Sequence, residues 1–313
     1  MKPDVLVLYP TRPAQMQALA AAYTLHRYDL AADKAALLAD VGQNVQAIVT
    51  NGHASLDRAL ISALPALKVV ACASAGYETI DVTALTERGI KLTNTSDALY
   101  DDVADTALML TLAARRNLIR GHDYVRSGDW AKNGMFPLQS AVRGKRLGIV
   151  GMGRIGQAII ARAQAVGLDI AYFSRTPKAD VALPFQPDLL ALAAWADILI
   201  VIVAGGAGTK GLISDAVIRA LGPQGTLVNV ARGSVVDEAA LIAALTDGGL
   251  GSAALDVFAT EPDANLALTH LPNVTLYPHH ASGTEETRAA MAQLVVDNLA
   301  AHFAGRPLLT AVN

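Results

Sequence analysis

From one end of the chain to the other, short runs of β-branched and apolar residues alternate with alanine-rich amphipathic stretches. The runs are DVLVLY, AIVT, KVVACA and KLTNT, then RLGIVG, DIAYFS, DILIVIV, GTLVNV, GSAALDV and VTLYPH. Strands separated by helical stretches run parallel, and strands this apolar are covered on both faces, so the alternation predicts an α/β fold of parallel sheets with helices on each side. Within the first set, SLDRALISALPAL and DVTALTERG predict connecting helices. At 313 residues the chain is too long for one ordinary core, which predicts two domains.

Between the two sets of strands, residues 101–130 (DDVADTALMLTLAARRNLIRGHDYVRSGDW) predict one long amphipathic helix with an acidic start and a basic end, the charge order that suits the helix dipole. A Gly- and Pro-containing loop, AKNGMFPLQSAVRGK, leads from it into the second set. A second amphipathic helix, ETRAAMAQLVVDNLAAHFAGRP, ends the chain and is stopped by Gly305 and Pro307. The expected domains are residues 98–283, and residues 1–97 completed by this last helix, 284–313.

The turn that opens the second set, GIVGMGRIG, places Gly151, Gly153 and Gly156 between a strand and a helix. That context gives the spacing its meaning: the first glycine permits a tight turn, the second lets a pyrophosphate approach the backbone, and the third lets helix and strand pack closely. The amides of the helix N-terminus then meet the phosphate charge. About 20 residues on, an NAD site ordinarily carries an Asp or Glu for the adenosine ribose. Here Ser174, Arg175 and Thr176 stand at that strand end, with Lys178 just beyond, while Asp169 lies at the strand's start. A 2′-phosphate carries about −1.5 to −2 charges near neutral pH, and a guanidinium meets its oxygens with paired hydrogen bonds. The cofactor expected is therefore NADP(H).

Composition narrows the rest. A net charge of −3 and no run of Lys or Arg argue against a nucleic-acid partner. No segment reaches the roughly 20 apolar residues of a membrane helix, and MKPDVLVLYPTRP lacks the core and cleavage site of a signal peptide. The single cysteine, Cys72, excludes disulfides within the chain, sits in an apolar run, and points to a reducing compartment, hence a cytoplasmic location. No metal site is expected.

Three later passages, NVARGSVVDEAAL, ALDVFATEPDA and TLYPHHASGT, each begin as a strand and end in a polar loop, where open α/β sheets bind ligands. Together they offer Arg232, Glu261 and a histidine. Hydride transfer to a 2-keto acid needs a cation for the carboxylate and carbonyl and a proton donor for the developing alkoxide, and a carboxylate beside a histidine orients the ring and raises its pKa. His279 and His280 are adjacent and would face opposite sides of a continuing strand, so pattern alone does not choose between them.

With these motifs in place, the chain resembles the D-2-hydroxyacid dehydrogenases, specifically their NADPH-dependent glyoxylate, hydroxypyruvate and hydroxyphenylpyruvate reductase branch. The likeness runs through TNTSDALYDDVADTALMLTLAARRNLIRGHDYVRSGDW, GIVGMGRIG, YFSRT, NVARGSVVDEAAL, LDVFATEP and PHHASGTEETR. It implies two Rossmann-like or flavodoxin-like domains with a cleft between them. It implies His279 as the acid/base, because it follows the proline, with Glu261 as its partner and Arg232 as the substrate anchor. It further implies Arg154, Ile155, Val230, Ala231 and Asp256 among the cofactor contacts, Asp256 at the nicotinamide carboxamide. The SAGYE loop would clamp the substrate carboxylate through amides of Ala75 and Gly76, with Ser282 also at the substrate. A small 2-keto acid as substrate and a homodimer built on residues 101–130 and the AKNGMFPL loop complete the expectation, Met135 or Phe136 being placed near the partner's site.

One departure stands out: VAGGAGT replaces the usual Leu-Thr pair beside the adenosine, so Gly205 and Gly206 stand in and Thr209 is displaced. Among competing readings, a formate dehydrogenase resembles a glutamine–histidine version of the site, which Glu261 opposes. Phosphoglycerate dehydrogenases and dinucleotide-sensing corepressors of the same fold resemble NAD binders, which Ser174 and Arg175 oppose.

Overall fold

A computed structural model of the chain describes residues 2–313, which divide into two compact units, one of residues 2–99 with Ser282–Asn313, the other of Tyr100–Ala281. These joints lie two residues from the bounds expected from sequence, and Ser282 falls in the first unit rather than the second.

The first unit is built on β1 (Asp4–Val7), β2 (Thr24–Arg27), β3 (Val45–Thr50), β4 (Val69–Cys72) and β5 (Lys91–Thr93), all parallel, in the order β2-β1-β3-β4-β5. That order is the flavodoxin-like one. Aspartates start several of its helices: Asp33, Asp57 and Asp81 each accept the backbone N–H three residues on, satisfying an otherwise unpaired donor of the first turn. One face of the sheet packs Leu6, Ile48, Val70 and Cys72 against Ile61, Leu64 and Leu85. The other packs Val5, Val49 and Val69 against Leu19 and against Val295 and Leu299 of the C-terminal helix, Glu285–Phe303. Burial pushes the Cys72 thiol up to about 11, which leaves it a small apolar filler of the sheet.

The second unit holds β6 (Arg146–Val150), β7 (Asp169–Phe173), β8 (Ile198–Val201), β9 (Thr226–Asn229), β10 (Ser252–Leu255) and β11 (Val274–Leu276), again parallel, ordered β11-β10-β9-β8-β6-β7. Strand order reverses between β6 and β8, and at such a switch point the loops leave to opposite sides and open a crevice for a ligand. Beyond β7, among the described residues, the sheet continues as one parallel bridge, Tyr172 to Phe185.

The single helix expected over residues 101–130 is instead three: Tyr100–Arg116, Leu118–Arg126 and Asp129–Asn133. The breaks fall at Asn117 (φ 51°) and Gly128 (φ 77°), left-handed positions that Asn tolerates and Gly favours. Burial differs accordingly. The first helix buries Val103, Ala107 and Leu110, whereas the second buries none of its residues.

Candidate active site

The glycine turn joins β6 to the helix Arg154–Ala165. Gly151 has φ +109°, and a Cβ there would meet the Ile202 carbonyl oxygen at 2.8 Å; one on Gly156 would lie 2.3 Å from the Gly151 carbonyl oxygen. Only glycine fits at either position. Gly153, by contrast, faces open space and precedes the first helical turn without any side-chain cap, which leaves helix amides to be met by a ligand. This cradle fits the pyrophosphate of a dinucleotide. Arg154 and Ile155 form its first turn, and Val230 and Ala231, both buried, follow β9 on the same end of the sheet.

At the end of β7, Ser174 is half-buried and Arg175, Thr176 and Lys178 are exposed. The Ser174 hydroxyl donates to the Thr176 carbonyl at 2.6 Å, tightening the loop that carries the guanidinium. After β8, the Thr209 hydroxyl turns inward to the Ala204 carbonyl at 2.7 Å, closing the GGAGT segment on itself.

Arg232 follows β9 in extended backbone, half-buried. Asn229, fully buried, clamps this loop from both sides: its amide donates to the Arg232 carbonyl at 3.0 Å and its oxygen accepts from the Ala231 N–H at 3.0 Å. Arg232 Nη1 donates to the Ala231 carbonyl at 2.7 Å, which fixes the inner edge of the guanidinium.

The backbone sets the two adjacent histidines apart. β11 ends at Leu276, so the strand alternation considered for His279 and His280 does not apply, and His279 instead turns left-handed (φ 48°). A non-glycine residue there is strained and needs support. Asp256, at the end of β10 and 1% exposed, supplies it. Its backbone carbonyl accepts from the His279 N–H at 2.7 Å, and its carboxylate oxygens accept from the N–H groups of His280 at 2.7 Å and Ala281 at 3.1 Å. Burial nevertheless holds the Asp256 carboxyl above its ordinary range, outweighing those two amides.

Held this way, His279 Nδ1 lies 2.6 Å from Glu261 Oε2. The other carboxylate oxygen of Glu261 accepts the Phe258 N–H at 2.9 Å, and the Ala259 N–H is taken by Glu238 at 2.9 Å, so the loop presenting Glu261 is tethered twice. Burial alone would raise the Glu261 carboxyl. The hydrogen bonds from His279 and Phe258 and the charges of His279 and Arg232 more than offset it, and the carboxyl lies below its ordinary value. His280 is exposed, its ring edge-on to Tyr277.

Arg232, Asp256, Glu261 and His279 thus share the carboxyl ends of β9–β11, the end of the sheet that also bears the glycine turn. Ala75, Gly76 and Ser282 belong to the other unit. There the loop after β4 is pinned by Asn94, whose amide donates to the Ala75 carbonyl at 3.0 Å. Among the described residues, the Ala75 and Gly76 N–H groups meet no acceptor. No group of three or more His, Cys, Asp or Glu among the described residues is placed to hold a metal, and no described helix is long and apolar enough to cross a membrane.

Sequence reasoning missed the clamp of Asn229 and the backbone contacts of Asp256. The Asn directly before VARG at a strand end was the available signal for the first. The second needs residues more than 20 positions apart to be brought together by strand pairing.

Residues 108–281 match the NAD binding domain of the D-isomer specific 2-hydroxyacid dehydrogenases. The whole chain is 46% identical, over 98% of each sequence, to glyoxylate/hydroxypyruvate reductase A of Arabidopsis thaliana. It is 44% identical, again over 98% of each, to the hydroxyphenylpyruvate reductase of Plectranthus scutellarioides. Among solved structures, the NADPH-dependent glyoxylate/hydroxypyruvate reductase of Sinorhizobium meliloti, in complex with NADP and malonate, superposes with a TM-score of 0.91 at 41% identity, covering 100% of this chain and 97% of that one. The chain belongs to the D-isomer specific 2-hydroxyacid dehydrogenase family, an α/β oxidoreductase family with a dinucleotide-binding domain.

Proposed function

We infer that this protein reduces small 2-keto acids to D-2-hydroxy acids with NADPH, acting on glyoxylate and hydroxypyruvate first and on hydroxyphenylpyruvate next. The observation that carries this reading is the His279–Glu261 pair, 2.6 Å apart at the strand ends of the sheet whose first turn fits the pyrophosphate of a dinucleotide. The relatives named above act on the same substrates, and the Sinorhizobium meliloti protein binds NADP together with malonate, itself a carboxylate.

When bound, the reduced nicotinamide supplies the hydride. The rest falls to the chain. With Nδ1 committed to Glu261, the proton that moves is the one on His279 Nε2, delivered to the carbonyl oxygen as negative charge develops there. Glu261, kept ionised by its partners, stabilises the imidazolium before transfer and fixes the tautomer after it. Arg232 holds the substrate carboxylate and carbonyl oxygen with its planar fork, and the Ala75 and Gly76 amides take the carboxylate from the substrate-binding unit, with Ser282 beside them. Asp256 sets the turn bearing His279 and borders the nicotinamide carboxamide. Gly151, Gly153, Arg154, Ile155 and Gly156 take the pyrophosphate, Val230 and Ala231 line the nicotinamide side, and Ser174, Arg175 and Thr176 take the 2′-phosphate.

The working form is a homodimer in a reducing, cytoplasmic setting. Support for the dimer comes from residues 118–138 of the cofactor-binding unit, where Leu118, Ile119, Val125 and Trp130 are exposed, Met135 is 77% exposed and Leu138 88%. That many exposed apolar side chains on one segment are what a second copy would cover.

Initial rates with NADPH and NADH across glyoxylate, hydroxypyruvate, pyruvate and phenylpyruvates test the reading. NADPH with a free keto acid is expected to turn over, and the matching keto ester is expected to be inert. Equal reduction of ester and acid would remove the carboxylate-anchoring role of Arg232, and failure of every keto acid would remove the activity.

A further inference from the structure

Tyr172 is the largest of the fully buried side chains and sits on β7, the edge strand whose end carries Ser174, Arg175 and Thr176. Its ring packs at 5.5 Å and a tilt of 51° against Phe185. Its backbone pairs with the returning chain on both sides, N–H to the Pro184 carbonyl at 3.0 Å and carbonyl from the Gln186 N–H at 2.8 Å. These contacts close the base of a ten-residue excursion, residues 174–183, that leaves the sheet and comes back. Its phenol oxygen reaches through to the excursion itself and accepts the Lys178 N–H at 2.9 Å. A second tie runs from the neighbouring helix, where Gln157 Nε2 donates to Asp180 Oδ2 at 3.2 Å.

The excursion is otherwise exposed from Arg175 to Asp180, and among the described residues the hydrogen bonds inside it are Ser174 to the Thr176 carbonyl and Val181 N–H to the Lys178 carbonyl. A long cationic side chain on such a loop would sample many positions, and binding a phosphate would have to order it. A backbone anchored three residues past Arg175 by a rigid, core-packed phenol has much of that ordering done beforehand.

We propose that Tyr172 is a positioning residue for cofactor choice: through the bond from Lys178 N–H to its phenol oxygen it presets the Arg175–Lys178 loop for a 2′-phosphate and so sharpens NADPH over NADH without touching either. This rests on the reading of that loop as the 2′-phosphate site. Tyr172 lies beneath the loop rather than in it, and the ring's packing on Phe185 is the same with or without the hydroxyl. Tyr172→Phe therefore removes one contact and keeps the shape.

The test compares Tyr172→Phe and Arg175→Ala with wild type in Kd for NADPH and NADH, with hydrogen exchange at the Lys178 amide as a second readout in the unliganded protein. Tyr172→Phe is expected to weaken NADPH about three- to tenfold, the range of one lost hydrogen bond, and NADH by less than twofold. The Lys178 amide is expected to be protected in wild type and to exchange faster in the variant. Arg175→Ala separates the two layers of argument. If it leaves the NADPH-to-NADH ratio unchanged, the loop is not the phosphate site and both fall. If it collapses the ratio while Tyr172→Phe weakens both cofactors alike or neither, only the role of Tyr172 is overturned. An unprotected Lys178 amide in wild type overturns it as well.

Discussion

Two short segments of the cofactor-binding unit, both at strand ends, are built in opposite ways. The turn at residues 279–281 donates every one of its backbone N–H groups to Asp256, and its imidazole is gripped by Glu261. The loop at residues 175–178 is exposed and tied down at one amide. Proton transfer is sensitive to errors of a fraction of an ångström, and the donor proposed for it, His279, sits on a strained backbone held by a buried carboxylate. Recognition of a highly charged phosphate needs charge in reach more than exact placement, and an anchored surface loop suffices. Rigidity has been placed where the chemistry needs it, and the two segments should respond to substitution along different kinetic parameters.

The largest expected effect is on the held segment. His279→Ala should lower kcat by about 10² to 10⁴ with Kd for NADPH within a fewfold of wild type, whereas His280→Ala, removing an exposed ring, should be mild. The reverse ranking in a kcat comparison would show that the left-handed turn presents the wrong histidine.

Next in size is Arg232→Lys, which should lower kcat and raise KM for the keto acid together, by about 10² in kcat/KM. An ammonium cannot reproduce both contacts of a planar fork, and the lost contact is one that strengthens as charge develops on the carbonyl oxygen. A change confined to KM in steady-state kinetics would assign Arg232 to binding alone.

Smaller again, and on the loose segment, Arg175→Ala should weaken NADPH by about one to two powers of ten, as expected for charge-assisted hydrogen bonds of about 1.5–3 kcal/mol, and leave NADH nearly untouched. Fluorescence titration with each cofactor measures this directly. Loss of NADH affinity in step would mean that the loop, like the turn, is a rigid part that a single substitution disorders.

The smallest effect is on stability against pH. The Glu261 carboxyl is lower in the folded chain than its ordinary value of 4.5, so its contribution is fully present above that value and is lost as pH falls through the lowered one. The Tm gap between wild type and Glu261→Gln should accordingly be widest near neutral pH and close in acid. A gap that widened on acidification would contradict the sign.

How much of this was legible beforehand follows the same division. Buried parallel strands are continuous apolar runs, so β1, β3 to β11 stood out in the sequence, while β2, with the pattern TLHR and a place at the sheet edge, carries no such run. The helix broken at Asn117 read as continuous because its amphipathic pattern continues and one left-handed residue leaves little periodic trace. The glycine turn and the Ser-Arg-Thr segment were readable because their chemistry lies in consecutive residues. The support of His279 by Asp256 was not, since it spans more than 20 positions and exists only once β10 and β11 pair.

The most direct test of the account is a double-mutant cycle between the two segments, measuring kcat/KM for NADPH with saturating hydroxypyruvate in wild type, His279→Ala, Arg175→Ala and the double variant. If chemistry and recognition are held separately, the two losses multiply, and the double variant falls within about twofold of their product. A double variant no worse than His279→Ala alone, or a departure of tenfold or more from the product, would contradict that separation and with it the assignment of His279 to proton transfer and Arg175 to the 2′-phosphate.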